Sequence, residues 1–150
     1  MMFSRGSGRN PAVDGIHQIN REPGENGETN MARLINLTTF TDARGNLTVI
    51  EKVIPFAIQR IFYIYGVDDS VRGGHRHRKT YQAAICIQGS CIVSNNDGST
   101  REDFVLDNPG TCLLLEPKDW HQMHEFTPEA ILMVLASEYF DAEDYIYERY

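Results

Sequence analysis

From Ala32 onward, apolar residues fall in short blocks, each closed by glycine, proline, asparagine or aspartate. Short blocks rich in β-branched and aromatic residues are strands, and the residues between them are those that turns need. Leu34–Leu37 opens the series, the turn Asp42–Asn46 follows, and Leu47–Glu51 reads as the next strand. Pro55 separates it from a strong β run, Ile58–Tyr65, and Gly66–Asp69 turns the chain. His75 to Ile87 alternates, Gly89-Ser90 bends it, and Cys91–Val93 leads into Asn95-Asn96-Asp97-Gly98, the strongest hairpin signal in the sequence. Phe104–Leu106, Thr111–Leu115, Met123–Phe126 and Ala130–Ala136 complete the set, with a turn at Pro117–Trp120. Roughly nine or ten short strands at regular spacing predict an all-β sandwich or jelly roll rather than βαβ units. Asp141–Tyr150 is predicted to close the chain as a short C-terminal helix, with Asp141 as N-cap and Glu143 and Asp144 in its first turn.

The first 30 residues break the pattern. They hold five Gly, two Pro and four Asn, and their few large apolar residues follow neither strand nor helix period. Such a segment buries too little to offset its ordering entropy, so residues 1–30 are expected to be a flexible tail and 31–150 the domain. Met31 would serve as a natural second start. The whole chain has 150 residues, about one domain's worth. Its net charge of −7 excludes a nonspecific nucleic-acid binder, which needs a basic surface, but leaves room for a local basic pocket. Cys86, Cys91 and Cys112 are odd in number and lack CxxC spacing, which suits a reducing cytoplasm and an inert, buried role. The longest apolar stretch, Ala130–Ala136, is far short of a membrane span, and no apolar leader region opens the chain.

Histidine placement carries the chemistry. His75 and His77 stand at i and i+2 of a strand, so both imidazoles face one way, while Arg76 faces the other. Arg72-Gly73-Gly74 precedes them, and the two glycines allow tight curvature or close approach of a ligand. His121 and His124 follow the Pro117 turn; His121 can shape a pocket, and His124 reads as structural. Two chemistries fit. Same-face histidines with a third from another strand can ligate zinc, iron or manganese. A neutral imidazole can also take a proton alpha to a ketone.

Gly74-His75-Arg76-His77, Gln82 and Gly89, followed by Gly110, Pro117 and His121, resemble the two motifs of the cupin superfamily. Metal-binding cupins carry a Glu shortly after HxH, whereas 78–82 here holds no carboxylate and Gln82 is the nearest replacement. A neutral amide is a poor divalent-metal ligand, and Arg76, Arg78 and Lys79 favour an anionic ligand over a cation. The resemblance narrows with Arg44-Gly45-x-Leu47, Pro55-Phe56-x-Ile58-x-Arg60-x-Phe62-Tyr63, Arg72–His77, Gly89-Ser90-Cys91, Trp120–His124 and Val134–Asp141. This ordered set is similar to the nucleotide-sugar 3,4-ketoisomerases that act on dTDP-4-keto-6-deoxyglucose. The sequence departs from that family at Gly74, Arg76 and Arg78, where a bulky apolar residue, Ala and Lys are common.

The resemblance implies a cupin double-stranded β-helix and a homodimer with exchanged strands. It implies no metal, and no cofactor is expected; with the charge and the short apolar stretches noted above, no nucleic-acid or membrane partner is expected either. It implies a cytoplasmic isomerase that moves a ketone from C4 to C3 through an enediol, feeding 3-amino-3,6-dideoxyhexoses of the O-antigen lipopolysaccharide kind. His75 is expected as the base at C3 and His77 as acid or proton relay at C4, with Tyr63 catalytic through a hydrogen bond to the sugar. Arg44, Arg60, Arg72, Gln82, Trp120 and His121 are expected to bind substrate, guanidinium suiting diphosphate or enediolate oxygens. Three rivals share the motif: a metal-dependent dioxygenase-type cupin using His75, His77 and His121, a non-enzymatic sugar-nucleotide-binding cupin, and a sugar-nucleotide 3,5-epimerase.

Overall fold

Alternating burial along the strands is what sorts this chain into layers. The computed structural model describes residues 31–150; the predicted tail, 1–30, lies outside the described residues. The described strands are β1 (Arg33–Asn36), β2 (Thr38–Asp42), β3 (Gly45–Val49), β4 (Arg60–Ile64), β5 (Arg72–His77) and β6 (Gln82–Gln88). They continue as β7 (Cys91–Asn96), β8 (Arg101–Leu106), β9 (Thr111–Leu115), β10 (Trp120–His124), β11 (Ile131–Ala136) and β12 (Tyr145–Ile146). One five-stranded antiparallel sheet has the order β1-β9-β6-β11-β4, and a second has the order β12-β5-β10-β7-β8. This is the expected all-β cupin jelly roll. Among the described residues, no helix is long and apolar enough to cross a membrane.

The sheets face each other across a core of Ala84, Cys86, Val93, Leu106, Leu113, Leu132 and Val134. A second apolar cluster covers the outer face of the first sheet, where Ala83, Ile85, Cys112, Leu114 and Leu135 pack under Leu37, Ile50, Ile54 and Phe56. Burial on both faces explains why β9 reads as a continuous apolar run, and why β6, expected within the alternating stretch His75–Ile87, is instead buried at five successive positions, Gln82 to Cys86. The three cysteines are free and buried, as expected.

β2 and β3 form a separate hairpin, paired from Thr38↔Val49 to Asp42↔Gly45. Phe40 and Leu47, opposite each other in it, are 62% and 58% exposed.

The helix predicted over Asp141–Tyr150 does not form. A single 3-10 turn, Ala142–Asp144, stands in its place. Asp141 does cap it, accepting from the Glu143 amide at 3.0 Å. The chain then extends so that Tyr145 pairs with His77 and Ile146 with Arg76. Closing the open edge of β5 and burying Asp144 outweigh the weak helical preference of a short charged segment.

Candidate active site

The start of β5 carries a bulge that aims His75. Opposite the step from His121 to Gln122 on β10, β5 advances from His75 to Gly73, so Gly74 is the extra residue. Gly73 and Gly74 have φ of +81° and +80°, the left-handed region that glycine occupies without strain. A Cβ at Gly73 would lie 2.8 Å from the His121 carbonyl oxygen, so the close approach foreseen for these glycines is to β10.

The bulge opens a cavity of about 150 Å³ inside the barrel. Arg60, Arg72, His75, Gln82, His121 and Tyr145 supply its polar wall, over an apolar floor that includes Phe62, Ile64, Ala84 and Val134. Arg60 is held by aromatic faces, its guanidinium carbon 4.6 Å from the Phe62 centroid and 5.4 Å from that of Phe140. Of the basic cluster read around the histidines, only Arg72 reaches the cavity. Arg76 turns outward as expected, 3.0 Å from the Tyr150 hydroxyl, Arg78 donates to the Glu143 carbonyl, and Lys79 pairs with Asp141.

Three histidines meet here. The His75 ring lies 5.0 Å from His77 and 5.1 Å from His121, centroid to centroid. Burial pushes His75 down to about 4, helped by the positive charge His121 would carry and opposed by a hydrogen bond to the Gly73 backbone. Burial likewise takes His121 to about 4, against the hydrogen bond of its Nδ1 to the Asp119 carbonyl at 2.9 Å. His77 is lowered by burial and by His75, with the Asp144 carboxylate acting in the opposite direction. All three are therefore neutral near pH 7 and able to accept a proton.

His77 stands behind His75 rather than on the cavity wall. Its Nδ1 is 2.9 Å from Asp144 Oδ2, and its Nε2 is buried without a partner. Asp144, 4% exposed, also accepts from Thr80 Oγ1 and from the amides of Arg78 and Lys79 at 3.0 and 2.8 Å. Burial works to raise this carboxyl, but those hydrogen bonds outweigh it and hold it below the usual range. Beside His121, Asp119 is fully buried, accepts from Asn95 Nδ2 at 3.0 Å and from the Glu116 amide at 2.7 Å, and is raised by burial.

Four of the predicted site residues do not line this cavity: His77, which stands just behind its wall, and Tyr63, Arg44 and Trp120, which lie away from it. Tyr63 is on the outer face of β4, 64% exposed and stacked on Tyr65 at 5.7 Å. Arg44 projects from the β2–β3 turn and pairs with Asp42 at 2.6 Å. Trp120 is on the outer face of β10, where its Nε1 donates to the Tyr147 carbonyl and Arg149 covers the ring. His124, read as structural, meets Ser94 Oγ at 2.7 Å away from the cavity. Conversely, the sequence reading missed Tyr145, which lines the cavity with its ring 4.6 Å from His75 and 4.7 Å from His77. It also missed Asp144. The available signal was Tyr145-Ile146-Tyr147, a β-prone triplet inside the presumed helix. Among the described residues, no group of three or more His, Cys, Asp or Glu is arranged to hold a metal ion.

A family model described as FdtA, WxcM-like, C-terminal, matches residues 30–150. The chain is 42% identical over 117 residues to the TDP-4-oxo-6-deoxy-alpha-D-glucose-3,4-oxoisomerase of Aneurinibacillus thermoaerophilus, covering 76% of this chain and 84% of that protein. The crystal structure of a 3,4-ketoisomerase from Helicobacter canadensis superposes with a TM-score of 0.75 at 36% identity, over 78% of this chain and 90% of that one. A mutant of the 3,4-ketoisomerase QdtA from Thermoanaerobacterium thermosaccharolyticum, in complex with TDP-4-keto-6-deoxyglucose, gives the same TM-score, 0.75, at 39% identity, covering 78% and 87%.

Proposed function

The chain belongs to the FdtA family of sugar-nucleotide 3,4-ketoisomerases, and from that premise we infer that it moves the ketone of a dTDP-4-keto-6-deoxyhexose between C4 and C3. The observation that carries the assignment of roles is His75, a neutral imidazole on the wall of a cavity that Arg60 and Arg72 also line.

The reaction takes a proton from C3, forms an enediol, and returns a proton to C4, while the hydroxyl proton passes from O3 to O4. His75 is the base at C3, since it borders the cavity and is unprotonated near neutral pH. Arg60 and Arg72 face the charge that develops on the enediolate oxygens or the diphosphate, and Gln82, His121 and Tyr145 orient the sugar. His77 serves as the relay behind His75. Residues 31–150 form the cupin domain. The exposed apolar hairpin β2–β3 supports a homodimer with exchanged strands, and Arg44 at its turn acts on substrate in that arrangement, across the subunit boundary. Three free cysteines fit a cytoplasmic enzyme supplying 3-amino-3,6-dideoxyhexoses, such as those of O-antigens.

The test is NMR of the protein with dTDP-4-keto-6-deoxyglucose in deuterated buffer. A 3-keto product with exchange at C3 is expected, and His75→Asn should abolish both. Exchange at C5 would instead identify a 3,5-epimerase. Normal substrate binding with no exchange in the wild type would identify a binding module. Activity that depends on stoichiometric iron or zinc would identify the metal-dependent alternative.

A further inference from the structure

Asp144 lies 67 positions from His77 in sequence and within hydrogen-bond distance of it in space. We propose that Asp144 is a positioning residue for the isomerase, one that fixes His77 as the Nδ1–H tautomer and presents its Nε2 lone pair to the buried ring cluster behind the cavity.

The geometry leaves little alternative. An ionised carboxylate only accepts, so the contact of Asp144 Oδ2 with His77 Nδ1 requires the proton on Nδ1. The carboxylate is itself fixed by Thr80 and by two successive backbone amides, Arg78 and Lys79. Those amides belong to the turn that follows β5 directly, so the acid and the imidazole it orients move as one body. Nε2, on the far side of the ring, is buried and has no hydrogen-bond partner. An unpaired buried acceptor is costly unless it has a use. The rings packed near the His77 ring are those of His75, His121 and Tyr145, with the Arg60 charge close enough to lower His77 further. An acceptor in that place can take the proton that His75 removes from substrate, and the Asp144 charge stabilises the imidazolium so formed. Without Asp144 the ring is free to place its proton on Nε2, and the relay loses its acceptor.

This inference rests on the ketoisomerase reading, and its primary test needs no substrate. In a long-range ¹H–¹⁵N spectrum of the wild-type protein, His77 is expected to show a protonated Nδ1 and an unprotonated Nε2. A protonated Nε2 in the wild type overturns the proposal whatever the enzyme acts on. In Asp144→Ala the two His77 nitrogen shifts should move toward each other as the tautomers mix. In Asp144→Asn, kcat should fall about 10- to 100-fold, at or below the lower end of direct acid–base contributions as befits a residue acting through another, with KM changed by less than about threefold. Asp144→Glu should recover part of that loss. Thr80→Val provides a second variant that leaves the carboxylate in place; it should keep the wild-type tautomer and lose less kcat than Asp144→Asn. An unchanged kcat in a folded Asp144→Asn protein, or a loss confined to KM, overturns the proposal.

Discussion

Acidification should destabilise this fold through His121, and the size of the effect can be worked out. His121 is 2% exposed and titrates at about 4 in the folded chain, against an ordinary 6.5. Between those values the unfolded chain carries a proton on this residue that the folded chain does not, so stability rises with pH across the window and is lost as pH falls through it. From pH 7 to pH 4.5 the loss from His121 alone is about 2.5 kcal/mol by linkage. Below about pH 4 both states are protonated and His121 adds nothing further. His75 titrates in the same window but is only half-buried, so solvent screening reduces its share. Asp144, held below its usual range, contributes stability that is lost only at more acidic pH. Asp119, raised by burial, works in the opposite sense near the lower end of the window, and it is common to wild type and variant. The assay is urea unfolding followed by the fluorescence of Trp120, at fixed protein concentration, for wild type and His121→Gln at both pH values. The variant should lose about 2.5 kcal/mol less than wild type between pH 7 and 4.5. Superimposable pH dependences would refute the account of His121 as a buried neutral imidazole.

Gly73→Ala should cost at least about 1–2 kcal/mol from the left-handed backbone alone, and more from the clash with the His121 carbonyl, with a matching drop in melting temperature; an unchanged melting temperature would mean that β5 can shift away from β10. Arg60→Met keeps packing against Phe62 and Phe140 but removes the charge, so kcat/KM should fall by about two orders of magnitude with little change in stability, measured by steady-state kinetics and thermal unfolding. Replacing Phe40 and Leu47 together by Ser should convert the proposed homodimer to monomer in sedimentation experiments, and a sedimentation coefficient unchanged from wild type at the same concentration would refute the hairpin as a dimer interface.

Much of the barrel was legible because its strands announce themselves by length and turn residues. Thr111–Leu115 was read with its observed limits, and of the hairpin signal Asn95-Asn96-Asp97-Gly98 the last two residues fall between β7 and β8 while the two asparagines end β7. β2 escaped because every one of its residues is exposed, which leaves no apolar alternation to detect. At the cavity, the same-face placement of His75 and His77 followed from strand periodicity, but their inequality did not. Only the packing shows that His75 borders the cavity while His77 is covered by Asp144 and Tyr145. Strand periodicity placed Arg76 outward correctly, but Arg78 and Lys79 misled: charge counted along the sequence ignores that the turn after β5 ties both to the chain near residue 143. Asp144 and Tyr145 were hidden in a segment whose local preferences are helical and whose tertiary pairing is not.

That pairing also makes the site depend on a covalent connection remote from its histidines. His75 and His77 precede Asp144 and Tyr145 by some seventy residues in sequence, yet it is β12 that covers the edge of β5 beside them. Without that segment, His77 lacks the carboxylate that orients it, and the cavity lacks one wall. A single proteolytic cut between Ala136 and Asp144 would therefore sever the covalent link that holds Asp144 and Tyr145 beside the histidines they support.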